Sequence, residues 1–531
     1  MKKRAAALCG IAVALTGTLT ALPHSATATP STTTAADAPT ATTLRWKACG
    51  TGRYPELQCA SLDVPLDHAD PDGRRITLAL SRVPHTAKSS QGPLLVNPGG
   101  PGGSGLSLAG HVARELPAEV AAQYDVIGFD PRGVGKSEPA LDCLPGHFDP
   151  VRPPSVPDTP AVEAANTERA RAFAQACGAK HGDVLPYIDT LSTVRDVEAV
   201  RAALGAPQIS YLGYSYGTYL GSVYATLYPQ RVRRMALDSV VDPDEVWYEA
   251  NLGQDTAFQA RHQAFLAWIA RHDAAYGLGT DPAGIEEAWY AMRTAVTREP
   301  AGGTVGGAEL EDTFLPGAYF DGYWPYLAEA FAAYVKRRDP DVLVAAYEAF
   351  GTVDAEGDNG YSAYTAVQCR DAWWTRDWDD WRADNRRTHA KAPFSTWNNA
   401  WYNAPCAHWP TAPLVPPNIG TDDLPPVLLL QATDDGATPV AGAHALRRAL
   451  GGSRLVVEEG GGNHGVTLSG NACLDRHLSD YLATGRVPDG PGNGTAADAV
   501  CARLPEPEPR APRGSAAARG AALHGLLGFR G

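Results

Sequence analysis

Five residues constrain this chain more than any others. Gly213-Tyr214-Ser215-Tyr216-Gly217 follows the apolar run Ile209-Ser210-Tyr211-Leu212 and opens a stretch, about Ser215 to Tyr228, with helical character. A serine between two glycines at a strand-to-helix turn is held in a strained conformation that lifts its hydroxyl above the sheet. Glycine is needed on both sides because a side chain there would strike the neighbouring strand or helix. With 54 Gly in 531 residues, chance alone supplies on the order of 0.2 such matches. The strand–turn–helix setting therefore carries the weight against a merely structural Gly-rich turn.

That setting repeats along the chain. Strands are expected at Arg75 to Val83, Leu94 to Val96, Tyr124 to Phe129, Val232 to Leu237, Val427 to Leu430 and Arg454 to Val457. Ser192 to Leu204 has helical spacing, with Val194, Val197, Val200 and Leu204 apolar and Gly205 as the stop. Asp475 to Leu482 is also helical. Short apolar strands alternating with helices predict a mostly parallel central sheet flanked by helices. Residues 246–415 break the rhythm and are rich in Trp, Tyr and Ala. They are expected to form a mainly helical cap over the sheet's C-terminal edge, where ligands bind in open α/β sheets. A second independent domain is the alternative. The core then comprises residues 44–245 and 416–504.

A serine hydroxyl is a weak nucleophile at neutral pH and needs a base, oriented in turn by an acid. The expected chain order after such a turn is Ser, Asp, His. The strand Val427 to Gln431 runs into Ala432-Thr433-Asp434-Asp435-Gly436, and the next strand runs into Gly460-Gly461-Gly462-Asn463-His464-Gly465. This predicts Ser215 as nucleophile, His464 as base and Asp435 as orienter, with Asp434 and Asp238 as alternative acids. His444 and His477 fall in helices and are read as surface or packing residues. Backbone amides must also face the developing oxyanion. One is expected from Tyr216 and the other from Gly100, in the loop Asn97-Pro98-Gly99-Gly100-Pro101-Gly102-Gly103-Ser104-Gly105. That loop lacks the Lys-Ser/Thr ending of a phosphate loop.

The ends and composition bound the rest. Lys2, Lys3 and Arg4, the apolar stretch to Leu22 and Ala26-Thr27-Ala28 read as a secretory signal over residues 1–28. Residues 29–43 are expected to be a disordered linker and 505–531 a disordered tail. A secreted, extracellular chain follows, off the membrane once the signal is removed. The formal net charge of −14 argues against nucleic-acid binding, which needs a basic face. Loss of Cys9 with the signal leaves eight cysteines, an even number suited to disulfides. The simplest pairing is local: Cys49 with Cys59, Cys143 with Cys177, Cys369 with Cys406, Cys473 with Cys501. No CxxC or paired helical His points to a metal, so neither metal nor cofactor is expected.

Together the elbow GYSYGTYLG, the loop NPGGPGGSG, the segment GFDPRGVGKS, the ending DDGATP…GNHG and the tail from Cys473 to Cys501 resemble the secreted tripeptidyl aminopeptidases of actinobacteria. These are relatives of the proline iminopeptidases within the α/β-hydrolase fold. The resemblance spans about residues 44–503. It implies a serine exopeptidase acting on peptides with free N-termini and releasing short peptides, often tripeptides; a monomer is expected. The family's D-x-x-T-P acid falls on Asp435, and the second Gly of the H-G-G-P-G loop on Gly100. A carboxylesterase with the same triad, a single-residue aminopeptidase and a non-catalytic binding module are the competing functions. An exopeptidase must also bind a substrate ammonium near the nucleophile, and a buried ammonium needs a carboxylate. Asp371, beside Cys369 and the aromatics Trp373 and Trp374, is the first candidate. Glu245 and Asp321 come next.

A Ser215→Ala protein is expected to fold normally and to lose activity by about a thousandfold or more. Retention of more than about a tenth of the wild-type rate would remove Ser215 from the mechanism.

Overall fold

Alternation within single strands decides how the sheet is covered. The computed structural model describes residues 44–421, 423–490, 496–509 and 525. In it, Leu94 and Val96 join the hydrophobic cluster on one face of the sheet, and Leu95 joins the cluster on the other. Leu428 and Leu430 likewise part from Leu429. Both faces are apolar, so both must be buried. Helices Leu106–Glu115 and Ala472–Thr484 cover the first face. Thr190–Ala203, Tyr216–Leu227 and Val440–Ala449 cover the second.

The strands are β1 (Lys47–Ala48), β2 (Gln58–Pro65), β3 (Arg75–Val83), β4 (Gly92–Asn97), β5 (Tyr124–Phe129), β6 (Ile209–Tyr214), β7 (Val232–Asp238), β8 (Leu428–Ala432), β9 (Arg454–Glu459) and β10 (Ala499–Ala502). They lie in the order β1-β2-β3-β5-β4-β6-β7-β8-β9-β10. Pairing is antiparallel from β1 through β3 to β5 and parallel from β5 to β10. This is the α/β-hydrolase architecture. β1, β2 and β10 are absent from the sequence reading. β1 is two exposed residues, and β10 buries only Cys501, so neither carries an apolar run to detect.

Between β7 and β8 the chain is almost wholly helical, from Tyr248–Arg271 through Thr396–Asn403. It has a core of its own, built on Phe265, Trp268, Trp289, Phe314, Trp324 and Phe331. Chain order hides one partner of this insertion. Residues 143–181 precede β6, yet they pack on the helices that follow β7. Arg152, its side chain 9% exposed, pairs with Glu309 at 2.9 Å and with Asp312. Trp401 Nε1 donates to the Ser155 carbonyl, and Arg382 pairs with Glu163.

The chain end differs from expectation as well. The signal and linker regions, and the tail from 510 apart from Gly525, lie outside the described residues. Residues 506–509, assigned by composition to a disordered tail, are seated on the helical insertion. Pro507 and Pro509 carbonyls accept from Trp268 Nε1 and Tyr276 Oη, and Glu506 pairs with Arg271. Proline has no N–H to satisfy, but its carbonyl still accepts, and composition is blind to such partners.

Four disulfides join Cys49–Cys59, Cys143–Cys177, Cys369–Cys406 and Cys473–Cys501, as the local pairing anticipates. The one grouping of potential metal ligands among the described residues, Cys473, His477 and Cys501, has both sulfurs in a disulfide. Among the described residues no helix is long and apolar enough to cross a membrane.

Mass spectrometry of the unreduced mature protein is expected to find these eight cysteines fully paired, and two or more free thiols would refute that pairing. Breaking the 37-residue loop of Cys369–Cys406 with Cys369→Ser is expected to lower stability by about 2–4 kcal/mol, measurable by denaturant titration.

Candidate active site

β6 ends in a turn that places Ser215 at φ 56°, ψ −127°. A non-glycine residue holds such a conformation only where its surroundings impose it. Here the Ser215 amide donates to the Asp238 carbonyl at 3.0 Å, and the Ser215 carbonyl accepts from the Thr218 amide and hydroxyl. The flanking glycines are packing requirements. A Cβ on Gly213 would lie 2.4 Å from the Gly217 carbonyl oxygen, and one on Gly217 would lie 2.7 Å from Asn97 Oδ1.

His464 sits on the loop after β9, buried. Its Nδ1 lies 2.9 Å from Asp435 Oδ2 and 3.1 Å from Oδ1. Asp435 is itself held from three sides. Oδ1 accepts the Ala437 and Thr438 amides, and Oδ2 accepts the Thr438 hydroxyl at 3.0 Å. Burial alone would raise the Asp435 carboxyl. The facing imidazole and these donors instead hold it below the usual carboxylate range. An ionised acid on Nδ1 fixes the tautomer that leaves Nε2 free to accept a proton. Asp434 is exposed and makes no contact with His464; its amide donates to the Gly461 carbonyl. Asp238 also does not reach the imidazole. Its carboxylate accepts the Val466 amide at 3.0 Å, the Thr467 amide at 2.7 Å and the Thr467 hydroxyl at 2.5 Å. The structure thus brings Asp435, not Asp434 or Asp238, to the histidine.

The loop after β4 lies against the elbow. A Cβ on Gly99, at φ +94°, would come within 2.5 Å of the Tyr214 carbonyl oxygen and 2.9 Å of Ser215 Cβ. Asn97 explains its own place in the loop: its Oδ1 accepts the Gly99 amide at 3.0 Å. Gly100 and Tyr216 line one cavity of about 130 Å³ together with Ser215 and His464. The cap supplies the facing wall. Asn251, Gln254, Gln368, Asn398 and Asn399 contribute amides, and Phe258, Tyr319 and Tyr364 contribute rings. The Tyr319 carbonyl accepts the His464 amide at 2.8 Å, and its ring stands edge-on to the imidazole. None of these cap residues is marked by a motif; only their aromatic and amide composition sets them apart in the sequence.

The candidate ammonium anchors separate. Asp371 is buried but does not line the cavity. Its Oδ1 accepts the Thr190 amide at 2.8 Å and its Oδ2 lies 2.5 Å from Thr190 Oγ1. Burial and the neighbouring Asp189 push its carboxyl up to about 7, against the pull of the Thr190 donors. Nor does it pair with Arg370 or Arg376, which donate to the Pro186 and Trp409 carbonyls. Asp321 is tied to Asn463 and lies outside the cavity. Glu245 does line the cavity, with Asp242. Burial and the acids Asp242, Glu249 and Asp244 raise the Glu245 carboxyl. That corner of the cavity therefore gathers carboxyl groups, Asp242 and Glu245 on its wall with Asp244 and Glu249 close by.

Known proteins match along most of the chain. A family described as TAP-like protein matches residues 392–501, and one described as alpha/beta hydrolase fold matches residues 92–298. The chain is 43% identical over 479 residues to a tripeptidyl aminopeptidase of Streptomyces lividans, covering 87% of each protein. It is 34% identical to the serine protease Hip1 of Mycobacterium tuberculosis, over 81% of this chain and 86% of that one. It is 32% identical to carboxylesterase B of the same organism, over 83% and 88%.

Asp435→Asn is expected to lower kcat by about 10⁴-fold by allowing the wrong imidazole tautomer, while Asp434→Asn stays within about threefold of wild type. Steady-state kinetics of the two variants checks the assignment, and the reverse ranking would shift the acid by one residue.

Proposed function

Because this chain belongs to the tripeptidyl aminopeptidase family of α/β-hydrolases, we propose that it is a secreted serine exopeptidase that releases short peptides, tripeptides foremost, from free N-termini. The observation that carries this reading is the shared cavity. Ser215 and His464 face it beside Gly100 and Tyr216, with Asp435 bonded to His464 behind.

Ser215 Oγ attacks the scissile carbonyl while His464 Nε2 takes its proton. Asp435 holds the imidazolium. The Gly100 and Tyr216 amides hold the oxyanion, His464 protonates the leaving amine, and water clears the acyl-enzyme by the reverse sequence. The amide-rich wall of the cap supports a peptide substrate, whose own backbone N–H and C=O groups need partners once desolvated. The acidic corner at Asp242 and Glu245 supports selection of a free ammonium. Four disulfides support export to an oxidising compartment.

A carboxylesterase is the second reading, favoured by the likeness to carboxylesterase B. The same triad serves it, so the substrate must decide. A panel of free and N-acetylated tripeptidyl amides, aminoacyl amides and short acyl esters is the test. The peptidase reading expects free tripeptidyl amides to lead in kcat/KM and acetylation to abolish most of that lead. Esters outpacing every amide would favour the esterase.

Glu245 is exposed, so solvent and salt screen its pull on an ammonium. Glu245→Gln is expected to raise KM for free tripeptidyl amides by about three- to tenfold at low salt, less at high salt, and to leave acyl-ester hydrolysis unchanged. An equal loss on both substrates would rule Glu245 out as the reader of the N-terminus.

A further inference from the structure

The phenol of Tyr216 ends in a hydrogen-bonded chain that leads out of the core and into the cap. Tyr216 Oη lies 2.7 Å from Thr190 Oγ1, and Thr190 Oγ1 lies 2.5 Å from Asp371 Oδ2. The Thr190 amide, which can only donate, gives its proton to Asp371 Oδ1 at 2.8 Å. All three residues are buried. Thr190 opens the core helix Thr190–Ala203, and Asp371 closes the cap helix Ala355–Asp371, two residues past the Cys369–Cys406 bridge.

The same cap helix meets the other half of the site. A Cβ on Gly102 would lie 2.3 Å from the Gly360 carbonyl oxygen, so the loop bearing Gly100 packs directly on the helix backbone. One rigid element therefore braces the Gly100 loop near its first turn and Tyr216 at its last residue. Trp247 closes the remaining side of the Tyr216 ring, its own ring centred 5.9 Å away.

We propose that the cap helix Ala355–Asp371 aligns the oxyanion hole, with Asp371 as a positioning residue that acts on Tyr216 through Thr190. The inference rests on the serine-hydrolase reading above. The direction of the Tyr216 N–H is set by the Ser215–Tyr216 peptide plane, at a residue strained to φ 56°. A ring pinned at its far end resists rotation of that plane. Donors aimed at an oxyanion stabilise the transition state only when their positions are fixed beforehand.

The test measures kcat per active site, counted by fluorophosphonate titration, so that misfolded molecules do not enter. Thr190→Val keeps the shape of the side chain and removes the hydroxyl. It is expected to lower kcat about tenfold or more, on a tripeptidyl amide and on a short acyl ester alike, with KM within about twofold. Tyr216→Phe is expected to match it. The double variant is expected to fall no further, because both changes cut one chain. Asp371→Ala is expected to behave like Thr190→Val, and Asp371→Asn to recover most of the rate, since its amide can donate to Thr190 Oγ1 while its carbonyl accepts the Thr190 amide. Unchanged kcat per titrated site in Thr190→Val, or additive losses in the double variant, would overturn the proposal. So would a rise in KM confined to substrates with a free ammonium. Failure of the wild-type protein to react with a fluorophosphonate would instead overturn the serine-hydrolase reading itself, and this inference with it.

Discussion

Asp238 ties together the two loops that the chemistry needs. Its carbonyl accepts the Ser215 amide, and its carboxylate accepts three donors from Val466 and Thr467, just past His464. Ser239 continues the clamp, its hydroxyl accepting the Gly465 amide at 2.7 Å. A carboxylate with no exposed surface is costly unless its lone pairs are filled. Burial raises the Asp238 carboxyl, and the donors from Thr467 and Val466 pull it back. The same donors that satisfy the acid fix the histidine loop in register with the serine turn. Loops from the ends of β6 and β9 thereby meet across a fold in which the two strands are not neighbours.

A second set of contacts fixes the cap over this centre. Tyr319 receives the His464 amide, Asn463 and Asp321 bond reciprocally, and Gly462 packs against the buried Arg261 guanidinium of the helix Tyr248–Arg271. Arg152, reaching from the segment before β6, pairs with Glu309 and Asp312 under the cap core. Removing one partner from such a buried pair leaves an unpaired charge and costs about 3–5 kcal/mol, far more than an exposed pair such as Arg171–Glu168. The cap is thus held by buried polar contacts at its base. Its apolar core keeps it rigid as a unit, and both are needed for a cavity wall of defined shape.

Much of this was legible in the primary structure because it depends on local chemistry. The elbow pentapeptide needs glycine on both sides of the serine within one turn. The strands β3 to β9 each carry an apolar run, and the acid and the base each follow a strand in the expected order. Asp435 was preferred to Asp434 through the resemblance, whose D-x-x-T-P acid falls on Asp435, and the structure adds that the Thr438 amide and hydroxyl reach that same carboxylate. The ranking of the candidate ammonium anchors was not legible. Asp371 has the neighbours expected of a rigid, dry carboxylate, a disulfide and two tryptophans, yet its oxygens face Thr190, which lies 181 residues away in sequence. Glu245 carries no local mark and nonetheless lines the cavity.

The division follows from the range of the forces involved. The sequence alone determines the α/β class, the turn that strains Ser215 and the order of serine, acid and histidine, and it offers the local pairing of cysteines 10 to 37 residues apart as the simplest arrangement. Each of these is written in residues a few positions apart, or in short loops whose closure needs little chain entropy. Only the tertiary structure decided which carboxylate faces the imidazole and which is turned to a loop amide, and which acids reach the cavity. It alone placed residues 143–181 under the cap and residues 506–509 across it. Those outcomes depend on hydrogen bonds between segments distant in sequence, where a rotation of one side chain exchanges one partner for another and leaves no trace in composition or spacing.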